Sequence, residues 1–141
     1  IMSSDWSSDV CSSDLPDGSI RIYYSGQKKG HHFQQGALCL ATMKKDHWAG
    51  YTSLAAGKPA HLTTQPVIAT GPTLWVTADV QPGGSVRVSV MDARGQTRST
   101  KTLRSDAAET GIGAIRGLAG KSVRLRFDLD RAKLYSFGFR Q

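Results

Sequence analysis

The chain has 141 residues, room for one ordinary domain whose core needs no staples. It carries 18 Lys and Arg against 11 Asp and Glu, a formal charge of +7, with 39% apolar residues. That balance excludes a disordered or fibrous chain, and no apolar run approaches the roughly 20 residues of a membrane-spanning helix.

Residues 1–15 stand apart. Ser-Ser-Asp recurs at Ser3-Ser4-Asp5, Ser7-Ser8-Asp9 and Ser12-Ser13-Asp14. The run from Asp9 to Leu15 back-translates to GAC GTG TGC TCT TCC GAT CT, which resembles the end of a common short-read sequencing adapter. The segment is therefore expected to be an adapter-derived artefact, disordered and foreign to the fold; the alternative is a native Ser/Asp-rich leader. It has neither the basic start nor the apolar centre of a secretory signal. Setting aside its three Asp leaves 18 basic and 8 acidic residues, a net of +10, and leaves Cys39 alone. A lone cysteine in an apolar run is a small hydrophobe rather than half of a disulfide framework.

From Pro16 onward the pattern is that of strands and turns. Asp17-Gly18 signals a turn, and Ser19–Ser25 alternates with Ile20, Ile22 and Tyr24 on one face. A polar, glycine-bounded loop from Gly26 to Gly36 leads to Ala37–Met43, an apolar run in which neither alternate set is polar and which is expected to be buried on both faces. Lys44-Lys45-Asp46 marks a boundary. Trp48–Ser53, Ala60–Thr64 and Val67–Ala69 predict short strands, punctuated by Gly57, Pro66 and Gly71-Pro72.

Thr73–Val80 alternates strongly, with Leu74, Val76, Ala78 and Val80 on one face and Thr73, Trp75, Thr77 and Asp79 on the other. Pro82-Gly83-Gly84 predicts a turn, and Ser85–Met91 sets Val86, Val88 and Val90 together. Thr97–Gly117 predicts a loop with at most one strand, its glycines arguing against more. Val123, Leu125, Phe127 and Leu129 alternate, and so do Tyr135, Phe137 and Phe139. With Asp130-Arg131-Ala132-Lys133 between them, these runs predict an antiparallel hairpin. Short strands about ten residues apart, with no helical periodicity, predict an all-β sandwich or barrel.

The sequence is poor in chemistry. His31 and His32 are adjacent and His47 and His61 stand apart, which matches no zinc spacing. Asp128 and Asp130 sit on one strand, so they do not flank a glycosidic bond, and no Gly-x-Ser-x-Gly elbow is present. No metal or other cofactor is expected. The positive balance admits a polyanion or nucleic-acid site. Yet Arg21, Arg87, Arg124 and Arg126 alternate with apolar residues, which sets them on solvated strand faces and disfavours nucleic acid. Trp48, Tyr51 and Trp75 either pack or offer platforms to a sugar ring.

Several stretches together carry a resemblance. SIRIYYSG, the His-containing loop and ALCLATMKKDHWAGYTS, followed by LTTQPV, TLWVTADV, GSVRVSVMDARG and LAGKSVRLRFDLDRAKLYSFGF, resemble bacterial glycoside-hydrolase-like proteins. In these a five-bladed β-propeller, similar to glycoside hydrolase families 32 and 43, hands over to a C-terminal β-sandwich. Thr97–Ala114 departs from the pattern by lacking the usual longer acidic connection. The resemblance implies an antiparallel, jelly-roll-like sandwich over residues 46–141, preceded by two strands of an incomplete propeller blade within residues 16–45. It implies a non-catalytic accessory role, because the acidic catalytic residues lie in earlier blades, and a secreted or periplasmic bacterial parent. Its implied partners are the parent's N-terminal propeller and a polysaccharide. The candidate carbohydrate contacts are His31, His32, Trp48, Tyr51 and Trp75. A basic polyanion-binding β module is the alternative.

Overall fold

Alternating apolar and polar side chains dictate strands, and the chain contains little else. The computed structural model describes residues 11–16, 18–27, 36–55, 57–115 and 117–141. Every regular element among them is a strand, and the paired strands run antiparallel. The fold is all-β and sandwich-like. The chain divides into two compact units, residues 1–48 and 49–141, the division falling after Trp48 rather than after Lys45.

The first unit holds β1 (Cys11–Asp14), β2 (Ser19–Gln27) and β3 (Gly36–Lys44), hydrogen-bonded in that order. Strands β2 and β3 pair over their full lengths, from Ser19 opposite Lys44 to Gln27 opposite Gly36. The disorder expected for all of residues 1–15 does not hold at Cys11–Asp14, which pairs with Ile20–Tyr23. The reason is turn chemistry. Gly18, at φ 74°, donates its N–H to the Leu15 carbonyl at 2.9 Å, and Pro16 favours the same turn. Residues before such a turn are folded back along the open edge of β2 whatever their side chains. Burial on both faces, expected for Ala37–Met43, is not met either. Leu38 is 81% exposed and Leu40 52%, because the described strands of this unit form a single layer.

The second unit is organised by two 19-residue strands, β6 (Thr73–Met91) and β9 (Ser122–Arg140). They pair almost end to end, from Thr73 opposite Arg140 to Met91 opposite Arg124. The turns expected at Pro82–Gly84 and Asp130–Lys133 therefore do not reverse the chain. Instead the register jumps there, with Val80 opposite Ala132 and Ser85 opposite Asp130. The two breaker sequences face each other across one ladder, so both strands bend together at a shared corner. Gly83 (φ 73°) and Arg131 (φ 44°) take up the positive-φ positions, and the Arg131 guanidinium donates to the Gly83 carbonyl across it. Bulged corners of this kind let one strand serve two layers.

Each half of the bent pair recruits its own neighbours. β4 (Ala60–Thr63) and β5 (Val67–Ile68) line the first half of β9, and β7 (Thr97–Leu103) lines the second half of β6. β8 (Ala107–Ala114) lines the first half of β6, and Tyr51 makes a single bridge to Leu134 on the second half of β9. The expected loop over Thr97–Gly117 thus contains two strands. Their polar, glycine-bearing sequences hide them, since as edge strands they pair through backbone and bury few side chains.

The core lies between the two halves: Val86, Val88, Val90, Val123, Leu125, Phe127 and Leu129 against Leu74, Val76, Ala78, Ala132 and Leu134. Phe137 and Phe139 pack at its margin. Arg87, Arg124 and Arg126 point outward and are exposed.

Candidate binding cleft beside the corner

The other face of β6 carries Thr73, Trp75, Thr77 and Asp79; Thr77 is buried as fully as Leu74, Val76 and Ala78 on the core side, and its hydroxyl accepts from the Glu109 N–H at 3.1 Å. Trp75 lies opposite Gly138 on β9, and its ring is seated directly over that glycine. A Cβ at Gly138 would stand 2.5 Å from the indole. The Arg140 guanidinium lies 5.4 Å from the ring centroid and donates to Glu109 Oε2 at 2.6 Å. Trp75 is therefore packed rather than presented as a platform.

At the far end of the row the surface opens. Asp79, Gln81, Arg131, Lys133 and Tyr135 form one wall of a cleft of about 430 Å³, and Thr52, Ser53 and Lys58 contribute to the other. The cleft follows from a second register slip. Thr77 faces Ser136 but Ala78 faces Leu134, so Tyr135 is the extra residue of a bulge. Leu134 keeps its place in the core and Tyr135 turns outward, where its hydroxyl donates to Asp79 Oδ2 at 2.8 Å. Burial first, and then the Asp79 carboxylate, push the Tyr135 phenol up to about 12. It is a protonated donor at any ordinary pH. Lys133 Nζ lies 4.9 Å from the centre of the Tyr135 ring, and Thr52 donates its hydroxyl to the Ala132 carbonyl at 3.1 Å, which fixes the opposing segment.

Within the cleft's described lining Asp79 is the sole carboxylate and already accepts from Tyr135, whereas glycoside hydrolysis uses two carboxyl groups across a bond. Among the described residues no three His, Cys, Asp or Glu side chains gather at one point.

Of the five residues picked out by sequence, the three that are described, Trp48, Tyr51 and Trp75, do not line this cleft. His31 and His32 lie outside the described residues. Trp48 is 63% exposed and belongs to the first unit. Tyr51 is 64% exposed and is held by backbone hydrogen bonds to Leu134, but its neighbour Thr52 lines the cleft and it does not. Sequence reasoning missed Tyr135 because strict alternation groups it with Phe137 and Phe139. No local signal marks it, because the slip is a property of how β9 pairs with β6.

No family model matches the chain, and no curated protein is similar to it. A solved structure of accessory secretory proteins 1, 2 and 3 of Streptococcus pneumoniae aligns over 94% of this chain and 85% of that chain, at 12% identity and a TM-score of 0.35. A likeness at that level assigns neither fold nor function.

Proposed function

We propose that this chain is a non-catalytic accessory β-sandwich of a glycoside-hydrolase-like protein, accompanied by strands of its final propeller blade. The second unit braces the parent's propeller and contacts a glycan through the Tyr135 cleft. The observation that carries the glycan contact is the fixed Tyr135–Asp79 pair, an aromatic face beside an oriented carboxylate, set among Thr52, Ser53, Gln81 and Lys58. Sugars are held by such combinations of a flat apolar surface and convergent polar groups. The brace is supported by the first unit, whose exposed Tyr23, Leu38 and Leu40 suit a sheet with neighbours on its faces. The parent is taken to be secreted or periplasmic.

Affinity electrophoresis of the full chain through gels containing neutral polysaccharides tests the contact. Retardation by at least one polymer is expected, and it should fall away in Tyr135→Ala. No retardation by any polymer leaves the brace alone, and hydrolysis by the isolated chain removes the non-catalytic reading altogether.

A further inference from the structure

A second opening lies in the same unit, and its lining too is basic. The turn from β6 into β7 and the connection from β8 into β9 enclose a cleft of about 800 Å³, lined among others by Arg94, Arg98, Lys121, Ile115 and Leu118. We propose that this cleft binds an acidic oligosaccharide, one whose sugars carry carboxylate or sulfate groups.

The charge arithmetic favours an anion. Asp92 is the one carboxylate in the described lining, set against three cations. It is spent on the turn: Oδ1 accepts from the Arg94 and Gln96 backbone N–H groups at 2.9 and 3.0 Å, and Oδ2 accepts from Arg98 Nε at 2.7 Å and Nη2 at 2.6 Å. These bonds neutralise the acid and hold the Arg98 guanidinium at the cleft wall. Two positive charges, those of Arg94 and Lys121, remain as surplus. Ser99 and Ser122 add hydroxyls, and the main chain of the β8–β9 connection is fixed by the Ile115 N–H to Pro72 carbonyl bond at 2.7 Å and the Lys121 N–H to Leu118 carbonyl bond at 2.9 Å.

The remaining lining chooses among anions. Leu118, half-buried, gives an apolar contact suited to the C–H face of a pyranose ring, while Ile115 is buried in the core, and the cleft is far larger than one free anion fills. No aromatic side chain is in the described lining, whereas single-stranded nucleic acids are gripped by base stacking on aromatics along a basic groove. This site is separate from the Tyr135 cleft and does not depend on it.

Calorimetry and amide chemical-shift mapping on the full chain test the proposal, using trigalacturonate, neutral galactotriose, sodium sulfate and a ten-nucleotide oligothymidylate as probes. Trigalacturonate should bind with affinity that weakens as salt rises, shifting amides of residues 92–99 and 117–122, while the neutral trisaccharide leaves them unmoved. The Arg94→Ala/Lys121→Ala double variant, altered only at exposed positions, should bind about tenfold more weakly or worse. Lys101→Ala, outside both clefts, should bind as the parent does. Equal binding of the neutral trisaccharide, an unchanged double variant, or shifts confined to the Tyr135 cleft would each overturn the proposal. Saturation by sulfate alone, with no gain from trigalacturonate, would reduce the cleft to a simple anion site. Tighter binding of the oligothymidylate at these same amides would replace the sugar with nucleic acid.

Discussion

The rings of Phe127 and Phe137 meet with centroids 5.2 Å apart and planes inclined by 39°, although both belong to β9. Ten residues of straight strand would span about 33 Å. The contact exists because β9 bends at Asp130–Arg131 and lays its second half over its first. The two phenylalanines therefore join the layers that the bend creates. Phe127→Ala should cost about 3–5 kcal/mol, as for a fully buried aromatic, and Phe137→Ala, at the core margin, about 1–3 kcal/mol. In a double-mutant cycle by urea unfolding, their coupling should be about 0.5–1.5 kcal/mol. Strict additivity would mean that the layers are not held together at this point.

Gly138 should be intolerant of any side chain. A methyl group there meets the Trp75 indole at 2.5 Å, and the ring is also confined by Arg140. Gly138→Ala is expected to lose about 1–3 kcal/mol, as overpacked sites do, and to red-shift tryptophan emission as the indole is displaced toward water. The same substitution in a Trp75→Phe background should leave emission unchanged. A shift that persists there would place its origin in another tryptophan.

Much of this was legible in the sequence and some was concealed for identifiable reasons. The inward sets Leu74–Val76–Ala78, Val86–Val88–Val90 and Val123–Leu125–Phe127–Leu129 follow from period-two alternation, and all of these residues are buried. The corner was misread because Pro82-Gly83-Gly84 and Asp130-Arg131 carry the residues of a chain reversal. Only their position opposite one another turns two reversals into one bend, and pairing is not local information. β7 was hidden because Thr97–Leu103 is polar on both sides, although its β-branched threonines suit a strand. The Tyr135 cleft depends on a one-residue slip, which moves a side chain from one face to the other. The basic cleft joins a turn at residues 92–96 to a connection some twenty residues later, and neither alone suggests a site.

Tyr135 gives a pH signature. Its phenol stands at 10.0 when unperturbed and at about 12 in the fold, raised chiefly by burial and then by Asp79. Below pH 10.0 it is protonated in both the folded and unfolded chain, so its contribution to stability is fully present. As pH rises from 10.0 through about 12 the unfolded chain ionises first, and that contribution is lost. The difference in unfolding free energy between the parent and Tyr135→Phe should therefore change across this window and be flat below it. An absorbance step from phenolate near pH 12 should vanish in the variant. A difference that is constant through the window would show that the hydroxyl is not held by Asp79.

Asp92 gives the opposite sign. Its carboxyl lies below the usual 3.8, first because the Gln96 backbone N–H donates to it, with Arg98 and the Arg94 N–H adding to the effect. A depressed acid stabilises the fold above its unfolded pKa, and that help is lost as pH falls through the folded value. Asp92→Asn should lower the melting temperature at neutral pH, and the gap from the parent should close as the solution is acidified below 3.8. A gap that survives there would assign the effect to shape rather than charge.

The first unit should make the chain self-associate. Tyr23 pairs with Leu40 and Ser25 with Leu38, which puts Tyr23, Leu38 and Leu40 on one face of a single-layer sheet, and all three are exposed. Among the described strands β3 is also an edge, over nine residues. An exposed apolar face and an open edge each favour contact with other molecules. Sedimentation velocity should show species larger than the monomer growing with concentration. Leu38→Lys/Leu40→Lys should shift the distribution toward monomer, because two ammonium groups on the face repel their counterparts in a second copy. These side chains contribute little to the unit's own packing, so the hydrogen-exchange protection of β2 should be retained. Undiminished association in the charged variant would move the contact from this face to the β3 edge.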